Sequence, residues 1–169
     1  MTIAHLIRKI PDYAKDVKSN LDLIFIQDKH DLSKLQLYGV SLSVAYLLNN
    51  ERLLNSIRAE AKMFLEEVDA DACKTAAVVM SMMNSYHGFM KDIDNTDMSD
   101  KMFGLETEEF LNCSAKIEDF DIYCLSVSIL LGCHYSCNTY TAKLRGRNIT
   151  NDMINDICRI VSVLKATRD

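Results

Sequence analysis

Between Asp121 and Tyr140 the chain reads Asp-Ile-Tyr-Cys-Leu-Ser-Val-Ser-Ile-Leu-Leu-Gly-Cys-His-Tyr-Ser-Cys-Asn-Thr-Tyr. An apolar helix runs into Gly132, and Cys133 follows at once at the expected start of a second helix. Unpaired N–H groups and the helix dipole at such a start favour a thiolate, so Cys133 is placed for nucleophilic or redox chemistry. Cys137 is a second thiol one turn on, and an i+4 residue lies about 40° from the face of residue i. A disulfide wants its β-carbons about 3.8 Å apart, whereas neighbours on a helix face are typically ~5–6 Å apart. A Cys133–Cys137 couple would therefore need some unwinding of the helix start. A metal site built from Cys133, His134 and Cys137 lacks the separated ligand pairs of a structural zinc site, and no metal or cofactor is expected.

The segment resembles the redox centre of the alkylhydroperoxidase D family, within the carboxymuconolactone decarboxylase superfamily. That family's pattern is a glutamate, eleven residues, Cys-x-x-Cys, and a histidine four residues further on. Laid on this chain it falls on Asp121, Cys133, Ser136 and Tyr140, so one of the four positions is identical. The resemblance extends to Pro11–Asp16, Leu37–Tyr46, Met80–Tyr86 and Lys143–Gly146, and so covers nearly the whole chain. It implies an all-α, single-domain helical bundle spanning 1–169, assembled as a homo-oligomer, trimeric or a multiple of three, with Gly132–Tyr140 near a subunit boundary. It also implies a peroxidase whose second cysteine attacks peroxide and whose first closes a disulfide. A dihydrolipoyl group on a partner protein reduces that disulfide, and some members serve a partner peroxiredoxin.

Each position carries two readings. Cys133 is a thiol poised to form or resolve a disulfide, or a small buried hydrophobe. Ser136 stands where the attacking thiol belongs, and a hydroxyl can neither reduce peroxide nor enter a disulfide. Tyr140 replaces the histidine: a phenol is a poor base at neutral pH, so it is a hydrogen-bond donor to oxygen or a packing residue with its hydroxyl at the surface. Asp121 keeps the acid on a shorter arm, or serves the dipole in the first turn of a helix, as does Glu118. His134 and His87 are further imidazoles, the first pointing away from Cys133 and the second at a distance the sequence does not give. The remaining cysteines read as core, Cys73 and Cys158 by equivalent apolar positions, Cys124 within an apolar helix, and Cys113 in a connector.

Helices must position these groups. A chain of 169 residues, 49% hydrophobic, with one proline and five glycines, can bury a helical core and is poor in turn residues. Pro11 suits the first turn of a helix over 11–20, and Ser33-Lys-Leu-Gln36 reads as a capping box opening a helix over 35–48. Helices are also expected over 51–66 and 69–87, then a polar connector over 91–115 with loop and short-helix signals. Gly146 stops the helix after the centre, and Thr150 opens the last, to about Lys165. Shifting the sequence by 85 positions sets Tyr38 on Tyr123, Ser41 on Ser126, Ser43 on Ser128, Asp71 on Asp156 and Cys73 on Cys158. The ungapped register suggests a duplicated unit, about 30–90 and 115–169. In it Gln36 lies opposite Asp121 and Leu48 opposite Cys133, so only the second copy carries redox equipment.

Net charge of −5 argues against nucleic acid as a partner. No apolar run is long enough to span a membrane and no signal peptide is visible, so six cysteines imply thiols in a reducing cytoplasm. Two functions remain: a thiol-dependent antioxidant enzyme of weakened or altered activity, or a family member that kept the fold, lost catalysis and acts as an oligomeric binding or regulatory protein. A lactone decarboxylase is weaker, because it has no use for the thiols. An exposed Cys137 in a polar cleft beside Cys133 would favour the enzyme; a Cys137 packed into apolar surroundings would favour the binding protein.

Overall fold

The computed structural model describes residues 2–92 and 104–167, and every regular element among them is helical. Helix α1 is Ile3–Lys9, α2 Lys15–Phe25, α3 Lys34–Ala45, α4 Glu51–Ala61 and α5 Glu67–Asp92. A short α6 covers Glu108–Leu111, and α7 Ile117–Leu131, α8 His134–Gly146 and α9 Asn151–Ala166 complete the chain. Of the expected connector, residues 93–103 lie outside the described residues, and α6 falls within the rest.

Two helices are apolar all round, and they form the centre of the bundle. In α3 every residue from Leu37 to Ala45 is buried, and in α7 every residue from Asp119 to Ser128. A helix without a polar face must be enclosed on all sides. The two pack on each other, α5 packs on both, and α9 packs on both from elsewhere. Serines inside this core satisfy their hydroxyls locally: Ser41 donates to the Leu37 carbonyl at 2.7 Å, Ser43 to Gly39 at 2.8 Å and Ser128 to Cys124 at 2.8 Å. The central helices approach most closely where the Tyr123 ring covers Gly39, and a Cβ at residue 39 would collide with that ring.

The capping box of Ser33 and Gln36 is present, with both reciprocal bonds at 3.1 Å. Thr150 caps α9 through Met153 N–H at 3.1 Å. Pro11 precedes a 3-10 turn, Asp12–Ala14, rather than opening the second helix itself, which begins at Lys15 and runs on to Phe25. Helix α1 was not expected. It exists because Ile3, Leu6 and Ile7 bury themselves against α2 and α4, and because Glu60 accepts the Ile3 N–H at 2.7 Å. Moved by 85 positions, the ends of α3 and α4 fall within two residues of those of α7 and α8.

Candidate active site

The turn that carries Cys133 follows from one glycine. Gly132 ends α7 at φ 71°, a conformation glycine adopts without steric cost. Its N–H reaches the Ile129 carbonyl at 3.2 Å, and the Cys133 N–H reaches Ser128 at 3.1 Å, which together make a Schellman stop. The chain reverses, and Cys133 becomes the N-cap of α8, its carbonyl accepting the Cys137 N–H at 2.9 Å. Among the described residues its thiol makes no capping bond, so the sulfur is left beside the unpaired N–H groups of the first turn.

The Cys133 thiol is half-buried and donates to Ser136 Oγ at 3.5 Å; Ser136 Oγ in turn donates to Asn84 Oδ1 at 2.7 Å. Ser136 is 3% exposed and Asn84 6%. Asn84 belongs to α5, so this chain of hydrogen bonds ties the start of α8 to a second helix. Its amide nitrogen is buried and has no partner among the described residues. One turn further along α5, His87 lies 4.4 Å, ring centre to ring centre, from Tyr135, and burial holds its imidazole below the ordinary value. The sequence did not single out Asn84. Its only signal was a lone amide within the methionine-rich stretch Met80–Met83 and onward.

Cys137 is half-buried and packs against the hydrophobic core, and burial pushes its thiol up, with Cys133 and Cys158 adding to the shift. The shift leaves less of it as thiolate than a free thiol would have. His134 is exposed at the first position of α8.

Asp121 and Tyr140 belong to a different place. Asp121 lies ten residues before the end of α7, about 15 Å at the helical rise. It is beyond the first turn, so it does not serve the dipole; it is 5% exposed and accepts from Arg147 Nε at 3.1 Å. Burial raises its carboxyl and outweighs the lowering by Lys143 and Arg147. Tyr140 is 4% exposed, so its hydroxyl is not at the surface as expected; burial pushes its phenol up, and the neighbouring Cys124 thiol adds to the shift. Lys143 Nζ stands 4.7 Å from the centre of the Tyr140 ring. Asp121, Tyr140 and Lys143 line a cleft of about 150 Å³ with Phe110, Cys113 and Phe120. The structure thus brings Cys133 and Ser136 together and leaves Asp121 and Tyr140 engaged elsewhere.

Of the other cysteines, Cys73 and Cys124 are core, and Cys73, donating to the Gly39 carbonyl at 3.4 Å, is pushed up to about 12 by burial. Cys158 is exposed, contrary to the reading from its equivalence with Cys73. Its position falls on the outer face of α9, whose buried residues are Asp156, Ile157, Ile160, Val161 and Leu164, while α5 is covered from two sides. Among the described residues no three His, Cys, Asp or Glu side chains gather as a metal site would require.

No family model matches the chain. It is similar over nearly its whole length to Alkyl hydroperoxide reductase AhpD of Frankia alni: 31% identical over 166 residues, 98% of this chain and 89% of the relative. The protein of the same name from Coxiella burnetii is 31% identical over 157 residues, 92% of this chain and 89% of the relative. That of Hyphomonas neptunium is 30% identical over 166 residues, 98% and 91%. Similarity of that degree and coverage, carried by an all-helical bundle with a cysteine at the turn between its central helix and the next, shows that the chain belongs to the alkyl hydroperoxide reductase AhpD family.

Proposed function

We propose that this chain is an AhpD-like antioxidant protein, a thiol-dependent alkyl hydroperoxide peroxidase or disulfide reductase of weakened activity, with Cys133 as its reacting thiol. The observation that carries the reading is the Cys133–Ser136–Asn84 chain at the start of α8. The Cys133 thiolate attacks the terminal oxygen of a hydroperoxide, the O–O bond breaks, and a proton completes the alcohol. The cysteine leaves as sulfenic acid. One thiol of an external dihydrolipoyl group displaces water to give a mixed disulfide, and its second thiol releases Cys133 and closes the lipoyl ring. A peroxiredoxin is the other partner the family offers. Weakened or altered activity is supported by four features: Ser136 holds no sulfur, Cys137 is half-buried against the core, Asp121 pairs with Arg147, and Tyr140 is buried in the core.

The homo-oligomer, a trimer or a multiple of three, is part of the same proposal. Leu131 and Tyr135 flank Cys133 at 45% and 57% exposure, and Val78 and Phe89 on the adjoining α5 are exposed at 69% and 59%. Apolar surface of that kind beside a site favours burial against another copy. The helical boundaries that recur at 85 positions support the duplicated unit. No helix among the described residues is long and apolar enough to cross a membrane, and six free cysteines suit a reducing cytoplasm.

The second reading, a catalytically inactive oligomeric binding or regulatory protein, is favoured by the packing of Cys137 against the core. Intact mass after a short pulse of organic hydroperoxide separates the two. The enzyme adds one oxygen, trapped as a sulfenic acid on Cys133 and removed by dihydrolipoamide. Cys137→Ser reacts as the natural chain does, and Cys133→Ser does not react. Six unmodified thiols on that timescale would leave the binding reading standing.

A further inference from the structure

We infer that the pocket between α3, α4 and α5 binds a small amphipathic carboxylate, an apolar chain or single ring carrying one anionic head. The pocket holds about 330 Å³, at the lower end of the ~300–1,000 Å³ usual for ligand sites. Leu42, Ala61, Leu65 and Ala70 give it an apolar lining, and Arg58, Lys62 and Lys74 supply three cations, with no acid among the lining residues. In a chain of net charge −5 this is a local reversal of sign.

The cations are largely uncommitted. Lys74 pairs with Asp71 at 2.8 Å, but both side chains are more than half exposed, so the pair is weak. Among the described residues neither Arg58 nor Lys62 has a carboxylate at ion-pair distance. Arg58 stands 5.7 Å from the centre of the Tyr46 ring, within cation–π range, and a guanidinium carries enough N–H groups to fork a carboxylate as well.

The other half of the chain shows what is missing. At 85 positions on, Lys143 and Arg147 stand for Arg58 and Lys62. There Asp121 accepts from Arg147 at 3.1 Å, and Lys143 is held over Tyr140. The counterpart of Asp121 is Gln36, whose amide is turned to Asp119 at 2.9 Å. The first half therefore keeps the cations and lacks the anion, over an apolar floor that a hydrocarbon would fill.

The test is a titration of the full chain with decanoate, followed by amide and methyl chemical shifts, with decanol as the uncharged control. Binding should move Leu42, Leu65 and Arg58 resonances, and decanol should bind about tenfold more weakly, the loss of one charge-assisted contact. Arg58→Gln with Lys62→Gln should weaken decanoate by about as much or more without changing the melting temperature, since both side chains are exposed. Equal affinity for decanoate and decanol overturns the proposal, as do shifts confined to other surfaces or none at millimolar decanoate. Peroxide reactivity of Cys133 is read separately, so the two proposals fail independently.

Discussion

Cys133 Sγ and Ser136 Oγ stand 3.5 Å apart across the first turn of α8, with the serine anchored to Asn84 on α5. The relationship places a hydroxyl where a sulfur would complete a redox pair. A disulfide needs about 2.05 Å between sulfurs, and a C–S bond longer than C–O closes part of the gap. Ser136→Cys should therefore form a disulfide between Cys133 and the introduced thiol under mild peroxide, seen as a loss of two hydrogens from the intact mass. Its peroxide turnover with dihydrolipoamide should exceed that of the natural chain. A variant that keeps both thiols after the pulse would show that position 136 does not limit the chemistry.

Asn84 gives the same cluster a structural side. Ser136→Ala removes the donor to Asn84 Oδ1 in a place where the amide nitrogen already lacks a partner. A buried polar group left unsatisfied costs about 1–3 kcal/mol, so urea unfolding should show a loss in that range. The double variant Ser136→Ala with Asn84→Leu removes both polar groups and should recover most of it. An unchanged midpoint in the single variant would mean that water already serves Asn84.

Much of the fold was legible because it is written locally. Ser33 and Gln36, Gly132, and Thr150 set helix ends by bonds within a few residues, and each ended or began a helix where expected. The apolar all-round character of α3 and α7 announced burial. What was not legible depends on partners far along the chain. Helix α1 is fixed by Glu60, 57 positions away, and Asn84 meets Ser136 across 52. Position 158 matched position 73 in register, yet only α5 is covered on the side that would bury the thiol. At the candidate site, the turn that makes Cys133 the N-cap of α8 was legible from the glycine before it. The separation of Asp121 and Tyr140 from it required knowing that Arg147 and Cys124 engage them first.

Asp121 should make stability depend on pH in an unusual direction for an ion-paired acid. Burial raises its carboxyl above the ordinary 3.8 despite Arg147 and Lys143. A raised acid favours the protonated folded state, so its contribution is fully present below the unfolded value and is lost as pH rises through the folded one. Asp121→Asn keeps an oxygen for Arg147 and removes the buried charge. Urea unfolding should find the variant at least as stable as the natural chain at pH 7, with its advantage shrinking on the way to pH 4. A variant clearly less stable at pH 7 would mean that the Arg147 pair outweighs burial.

Gly39 and Tyr123 hold the two central helices at their spacing, which makes residue 39 sensitive to a single methyl group. Alanine is the better helix former, and on an exposed face Gly39→Ala would stabilise by about 0.5–1 kcal/mol. Here the added carbon collides with a ring that is itself fully buried, so neither can move without displacing α3 from α7. Overpacking of that kind costs about 1–3 kcal/mol and wins over propensity. The melting temperature should fall, and Gly39→Ala with Tyr123→Leu should restore it in part by taking away the ring. A single variant as stable as the natural chain would show that the central helices can slide apart at little cost, and that the start of α8, carried on α7, is less rigidly placed than the packing implies.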